Sequence, residues 1–256
     1  MRAFGNGDFA RGGRVSQARL AAEAAGGSRY RTRRASDAAW PVRAAYRRRV
    51  TAWDRLGEAL RAVGRLIVPV LVLLLSFAAI YLYLDTPVRI SGIQNADWIT
   101  VGHLLPAFSF LAVHLTNRRY GPAYAFAQVV VALAAAAAFA TFAAPRLVAF
   151  STFNLPLDGR LTLAFAAAFF GASFVSIVIF DGWRGPRWWI APLLGMVSAS
   201  ALFCLIYYPA AYYGLAPFTD RMLLHMELLL VVAVAMIVPY WMLRRLVRPL
   251  PGFGGY

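Results

Sequence analysis

Side chains that could bind a polar solute stand together on one apolar segment, residues 98–117. His114 and Asn117 follow His103 in this segment, and on an α-helix their directions differ from that of His103 by only about 20° and 40°. Thr100 falls about 60° to the other side of His103. A row of imidazole, carboxamide and hydroxyl groups can donate and accept hydrogen bonds. Such a row is expensive against lipid, so we expect it to face the interior of a helical bundle.

The polar row ends at a basic corner, NRRYG (117–121), after which a second apolar run begins. Two interpretations of this corner are open. It is either a plain membrane hairpin with a positive turn, or the end of a row that marks the path of a solute. For His114, a hydrogen bond to a neighbouring helix is the alternative to lining such a path.

Other polar side chains within apolar segments extend the candidate site. His225 and Glu227 lie about one turn inside the last apolar segment, at a depth similar to that of His103. These three residues are expected either to form an outward-facing mouth or to reach the membrane interface. Weaker candidates are three serines, whose hydroxyls commonly bond their own helix. These are Ser173, Ser176 and Ser200.

The sequence lacks the signatures of membrane enzymes. It contains no GxSxG elbow and no HExxH pair, so we expect no enzyme and no catalytic residues. The single Cys204 excludes both a disulfide framework and a cysteine metal site. The three histidines are too far apart in sequence for a metal-binding motif. We therefore expect neither a metal nor a cofactor.

The composition indicates a membrane protein. Of 256 residues, 61% are hydrophobic and 14% are charged, whereas a soluble domain carries about 25% charged residues. The net charge is +15, and all 26 basic residues are arginine. These arginines flank apolar segments, so the positive-inside rule explains them and nucleic acid is not expected as a partner. The lipid bilayer and a small polar solute are the expected partners, and a homo-oligomer is compatible with the sequence.

Hydropathy predicts an all-α membrane protein with six transmembrane helices, each of about 20 residues. The predicted spans are 64–84, 98–117, 122–144, 161–181, 188–213 and 222–243. They form a six-helix transmembrane domain over 64–245. The remaining predicted parts are a disordered Arg-rich tail (1–40), an amphipathic membrane-surface helix (41–63) and a C-terminal tail (246–256).

The distribution of arginine also predicts the orientation. The even-numbered spans end beside arginines, whereas the opposite ends of the spans carry both arginine and aspartate. The arginines at the even-numbered ends are Arg118, Arg119, Arg184, Arg187, Arg244, Arg245 and Arg248. Both termini and both tails should therefore be cytoplasmic, in a multi-pass protein of the bacterial inner membrane.

Several motifs recur in the order and spacing of a known family. PVRISG, FSFLAVHLTNRRYGPAYA, GRLTLAFAAAFFGASFVSIVIFDGWR and RWWIAP follow one another along the chain. This pattern, over about 80–245, resembles the queuosine-precursor transporter family, also called the VUT family. The matching positions are Leu115, Thr116, Asn117 and Gly121 at the corner, Arg160 and Phe180 on the fourth span, and Trp188, Trp189 and Pro192 at the fifth.

The chain departs from the family pattern at its intramembrane charges. Val113 and His114 replace a Thr-Asp pair, and Ser176 stands about where the family has an aspartate. The family pattern also has a second aspartate near the position of Phe203 and a lysine near that of Leu229, and this chain has neither there. An aspartate can accept two hydrogen bonds from the N–H edge of a deazaguanine, a pattern that histidine cannot reproduce.

The resemblance implies a divergent six-helix carrier that imports a 7-deazaguanine base, and by analogy with carriers in general we expect alternating access around a central polar cavity. His114 and Asn117 would hydrogen-bond the solute, and Arg160 would guard the outer side. Ser173, Ser176 and Ser200 would complete the cavity. The departures leave two alternatives open. The chain is a transporter with an altered substrate, or it is a transport-inactive scaffold or assembly subunit built on the same bundle.

Overall fold

The computed structural model describes residues 52–88, 98–143, 159–215 and 217–250. They divide into two compact units, Met1–Ala59 and Leu60–Tyr256. Of the first unit only 52–59 are described. The predicted tail 1–40, residues 41–51 of the predicted surface helix and the last six residues of the predicted C-terminal tail lie outside the described residues.

The described residues are helical, which confirms the all-α prediction for this part of the chain. Apart from one antiparallel bridge between Pro87 and Thr100, they form no β-structure. Helix α4 continues into a π-helical turn, Phe139–Ala143. The α-helices are α1 Ala52–Leu82, α2 Val101–Leu104, α3 Pro106–Tyr120, α4 Pro122–Ala138, α5 Gly159–Gly182, α6 Ile190–Tyr212, α7 Thr219–Ala235 and α8 Ile237–Leu243.

Five helical segments are long and apolar enough to cross a membrane, which suits a multi-pass membrane protein. Each overlaps one of the predicted spans, although the first begins eleven residues earlier than predicted. Large apolar side chains remain exposed along them, including Leu163 at 72% and Val231 at 67%, as lipid-facing surfaces require. The five segments are Trp53–Leu82, Pro122–Ala143, Gly159–Gly182, Ile190–Tyr212 and Thr219–Leu243.

The second predicted span, 98–117, is divided into two helices. The four-residue α2 and the fifteen-residue α3 are separated at Leu105, immediately before Pro106. Proline has no N–H to donate, and its ring clashes with the carbonyl four residues earlier, so an α-helix breaks here. Pro239 acts similarly: α7 ends at Ala235, and α8 begins at Ile237. From the sequence we expect kinks at Pro106, Pro192 and Pro239. Helices break next to two of them, whereas Pro192 lies in the first turn of α6, where proline is tolerated and the helix continues.

Helix α1 runs without interruption through the boundary predicted between the surface helix and the first span at 63–64. Trp53 and Leu60 in its first part are 80% and 64% exposed. Both values fit an apolar face turned towards lipid. Whether the first turns of α1 lie on a membrane surface stays a prediction.

Phenylalanine rings and small side chains fill the centre of the bundle. Phe110 on α3 stacks on Phe169 on α5, with 5.0 Å between ring centroids. Phe77 on α1 meets Phe169 edge-on at 5.0 Å, and Phe203 on α6 contacts Phe110 at 6.3 Å. Helices α5 and α6 pack along each other, since small residues such as the fully buried Ala199 allow their backbones to approach.

Candidate functional site

A cavity of about 840 Å³ opens at one end of the bundle. At this end α3, α5 and α8 finish while α4 and α6 begin, and we refer to it as the arginine end. Its wall carries the charged side chains Arg118, Arg184, Arg187 and Asp181. Three aromatic side chains, Phe180, Trp188 and Tyr240, also line it. The cavity is therefore basic and aromatic, and its volume suits a small-molecule ligand.

The corner between α3 and α4 determines where this wall begins. Gly121 is the only residue between the two helices, and its φ of 84° lies in the left-handed region that favours glycine. Its N–H donates to the carbonyl of Asn117 at 2.9 Å, which closes the last turn of α3. Pro122 then starts α4, a position at which its missing N–H costs nothing.

Arg184 connects α3 to the end of α5. Its Nη2 donates to the Asn117 side-chain oxygen at 2.7 Å and to the Asn117 carbonyl at 3.1 Å. Its Nε lies 2.7 Å from the Asp181 carboxylate, close enough for an ion pair, although the Nε–H bond is not aligned for a hydrogen bond. The guanidinium carbon lies 5.2 Å from the centroid of the Phe180 ring. Asn117 is thus an anchor for an arginine, and its Nδ2 also reaches the Ile177 carbonyl at 3.5 Å.

His114 is completely buried between two helices. Its ring stacks on Phe180 of α5, with 5.1 Å between centroids and 10° between planes. On α6, a Cβ placed on Gly195 would lie 2.7 Å from His114 Cε1 and 2.8 Å from Nε2. The ring thus lies directly against the Gly195 backbone. It interacts with that backbone electrostatically, but neither ring nitrogen has the geometry of a hydrogen bond within the described residues.

The three serine candidates are all fully buried. Ser176 donates to the Ser173 carbonyl at 2.9 Å, the bond to its own helix that is common for serine. The hydroxyls of Ser173 and Ser200 have no hydrogen-bond partner among the described residues, and the same holds for Ser109 on α3. Buried polar atoms without partners are rare, so these hydroxyls and the His114 ring are candidates for contact with a solute.

Two of the three residues predicted at an outer mouth meet at the opposite end of the bundle, which we refer to as the histidine end. His225 Nε2 donates to the carbonyl of His103 at 2.7 Å. In the neutral imidazole the other ring nitrogen, Nδ1, then accepts, so the Tyr208 hydroxyl at 3.0 Å is its donor. The rings of His103 and His225 lie 5.2 Å apart, edge to face. Glu227 is exposed on α7, whereas His225 is buried.

Short bonds and ring contacts complete this cluster. Thr100 donates its backbone N–H to His103 Nδ1 at 3.2 Å, and its hydroxyl lies 2.8 Å from the same nitrogen. Trp98 contacts the His103 ring edge-on at 5.6 Å. The histidine end therefore joins the start of the second predicted span to α6 and α7 through bonded side chains.

Arg160 lies away from the arginine-end cavity, at the start of α5. It is exposed, and its guanidinium donates to the carbonyls of Ala210 at 3.2 Å and Tyr213 at 2.7 Å. These carbonyls belong to the C-terminal end of α6, where a cation is favourable. The structure thus brings Arg160 to the end of α6 and does not bring it to Asn117. Its predicted role as an outer guard stays a prediction.

Sequence reasoning missed the residues that contribute most to the cavity. Arg118, Arg184 and Arg187 had one assigned role, orientation by the positive-inside rule, and Tyr240 and Asp181 had none in the site. The usable signal is an aromatic residue near each arginine: Phe180 precedes Arg184 by four positions, one helical turn. Three residues quoted for the family resemblance do line the cavity: Phe180, Trp188 and Pro192.

Metal binding finds no support in the described ranges, where no group of three or more His, Cys, Asp or Glu residues could hold an ion. Comparison with known proteins gives no further guidance, because no family model, no curated protein and no solved structure matches this chain.

Proposed function

We propose that this protein is a six-crossing membrane carrier for a small polar solute. In this proposal, α2 and α3 together form the second crossing, and both termini face the cytoplasm of a bacterium. One observation carries the proposal. Phe180 lines the arginine-end cavity and also stacks on the buried His114. A single aromatic side chain therefore stands between an open cavity and a fully buried imidazole that lies against the Gly195 backbone.

The contacts of Phe180 suggest how access could alternate. Arg184 lies over the Phe180 ring and is fixed by Asn117 and Asp181. Displacement of this layer would expose His114 to the cavity, and opening of the His103–His225 bond would give access from the opposite end. Carriers of many folds expose a central site to one side at a time in this manner. Asn117 then serves the gate rather than the solute.

The resemblance to queuosine-precursor transporters makes a 7-deazaguanine base the first solute to test. A cavity of about 840 Å³ is large enough for such a planar bicyclic molecule. Trp188 and Tyr240 provide aromatic surface in its wall. The family's intramembrane acids are replaced here, so a related but different polar solute is compatible with the same proposal.

Uptake by the purified protein in proteoliposomes tests the proposal. Wild-type protein is expected to accumulate a labelled 7-deazaguanine base, and His114→Ala to abolish uptake. Thr116→Val is the matched control on α3, because the Thr116 hydroxyl bonds only the carbonyl of Ala112 in its own helix, at 3.1 Å. Each variant should first be shown to be monodisperse in detergent. If His114→Ala takes up the base as the wild type does, His114 has no part in the mechanism.

A second candidate function is a membrane scaffold that does not transport. The observation that favours it is the aromatic centre, where Phe110, Phe169 and Phe203 pack together. Complementation of a queuosine-salvage mutant, scored on tRNA, distinguishes the two. Restoration of modified tRNA by the wild-type chain supports a carrier of these bases. No restoration, together with no uptake of deazaguanines in proteoliposomes, supports the scaffold.

A further inference from the structure

The charges in the wall of the arginine-end cavity are unbalanced. Three arginines and one aspartate line it, which leaves two more positive than negative charges. Asp181 is the one carboxylate in this wall among the described residues, and it lies against Arg184 at 2.7 Å. Arg118 and Arg187 have no carboxylate partner in the described part of the chain. A positively charged concave surface of this kind attracts and concentrates anions.

Arg118 supplies a second and independent observation. Its side chain is half-buried beside the Tyr240 hydroxyl, and its Nε is shielded from solvent with no hydrogen-bond partner among the described residues. A buried donor on a charged group is costly to leave unpaired. An oxygen ligand in the cavity would satisfy it, and an anionic oxygen would do so best.

A further guanidinium adds to the positive potential behind the aromatic wall. Arg244 on the last turn after α8 lies over the ring of Trp188, with 4.2 Å between the guanidinium carbon and the ring centroid. Trp188 itself lines the cavity. This contact holds a cation close to the wall, although Arg244 is not part of the lining.

We propose that the arginine-end cavity binds a phosphate group through Arg118 and Arg187. The guanidinium fork matches the tetrahedral oxygens of phosphate, to which two N–H groups can donate at once. The excess of two positive charges equals the charge of a phosphate dianion. This inference deepens the proposed function, on which it rests for the idea that a solute enters here. It names an anionic, phosphate-bearing class, so it favours the related but different polar solute over the phosphate-free 7-deazaguanine base.

Two sources could supply the phosphate, namely a phosphate-bearing solute in water or the headgroup of an anionic phospholipid. The first test uses inorganic phosphate with protein purified in a neutral detergent, and compares it with chloride at equal ionic strength. The second uses nanodiscs of phosphatidylglycerol and of phosphatidylcholine. Thermal unfolding is the readout, because a ligand that binds the folded state raises Tm.

Arg187→Gln is the primary variant, since Arg187 is exposed and its loss should leave folding intact. Arg118→Gln is a second variant. Arg245→Gln is the matched control: it removes the same charge at the same end, but Arg245 packs on Trp241 and does not line the cavity. We expect the affinity for the stabilising phosphate to fall about tenfold in Arg187→Gln and to be unchanged in Arg245→Gln.

Stabilisation by inorganic phosphate that depends on Arg187 supports the site with a free anion as its source. Stabilisation by phosphatidylglycerol alone, with the same dependence, supports the site with lipid as its source. No stabilisation by either, or equal stabilisation of Arg187→Gln and wild type, overturns the proposal. Binding is measured without transport, so phosphate binding without uptake would contradict the carrier alone. Uptake without phosphate binding would contradict this site alone.

Discussion

The two ends of the bundle use polar side chains in opposite ways. At the arginine end, the side chains of Arg118 and Arg187 border a cavity of about 840 Å³. At the histidine end, the His225 ring bonds both the Tyr208 hydroxyl and the backbone carbonyl of His103. One end is thus open and charged, and the other is joined by hydrogen bonds. Such a difference is what a carrier open to one side would present.

Cysteine labelling is the most direct test of whether the two ends differ in their access to water. Ala191 and Ala211 are both largely buried on α6, with 6% and 1% of their surface exposed, but only Ala191 lines the cavity, whereas Ala211 lies near the C-terminal end of the helix, three residues after Tyr208. In a Cys204→Ala background, Ala191→Cys should react with a water-soluble maleimide at least about tenfold faster than Ala211→Cys, since a factor of ten needs only about 1.4 kcal/mol of protection. Equal rates would show that the two ends do not differ in access.

The contact between His114 and the Gly195 backbone can be tested by substitution. Gly195→Leu would drive a side chain into the His114 ring, which also stacks on Phe180. We expect a loss of about 3 kcal/mol in stability, at the upper end for overpacking, measured by thermal unfolding in detergent. Gly64→Leu is the control, because a Cβ there meets no atom within 4 Å. Adding His114→Ala should restore part of the loss, and a double variant no more stable than Gly195→Leu would contradict this contact.

Release of Arg184 tests whether the arginine end is held in its shape by hydrogen bonds. Asn117→Ala removes the side-chain acceptor at 2.7 Å. A hydrogen bond to a charged group contributes about 2 kcal/mol, so a loss of that size is expected. Thr116→Val, one position earlier, should change stability by less than about 0.5 kcal/mol. A chemical-denaturation series in mild detergent can compare the two, and equal effects would argue against the anchoring role of Asn117.

The smallest expected effect concerns the histidine end. Tyr208→Phe removes the hydroxyl that donates to His225 Nδ1 and leaves a buried acceptor unpaired. The expected cost is about 1 kcal/mol. Tyr212→Phe, one turn later on α6, removes a hydroxyl that is not part of this cluster and serves as the control. If Tyr208→Phe unfolds at the same temperature as Tyr212→Phe, the hydroxyl does not help to close this end.

The sequence predicts the long helices well because hydrocarbon thickness imposes a single requirement on all of them. Predicted spans such as 161–181 and 188–213 differ by about two residues or fewer from Gly159–Gly182 and Ile190–Tyr212. The second span was harder to describe, because hydropathy averages over residues and does not register the break at Leu105. Pro106 contained that information, and it was correctly expected to disturb the helix.

The site was less predictable, because helical periodicity reports which residues share one face and not what lies opposite. The row of His103, His114 and Asn117 was recognised, but its three members have different partners. His114 meets Phe180 and Gly195, Asn117 binds Arg184, and His103 accepts from His225. Asn117 and Arg184 are far apart in sequence, so only the packing of α3 against α5 brings them together.

The single-residue joint at Gly121 has a mechanical consequence. A connection this short leaves no slack between α3 and α4, so neither helix can tilt or slide far without carrying the other. Any motion of α3 that uncovers His114 would therefore move α3 and α4 together relative to the rest of the bundle. Flexible residues inserted at this joint would keep the packing of each helix while uncoupling the pair.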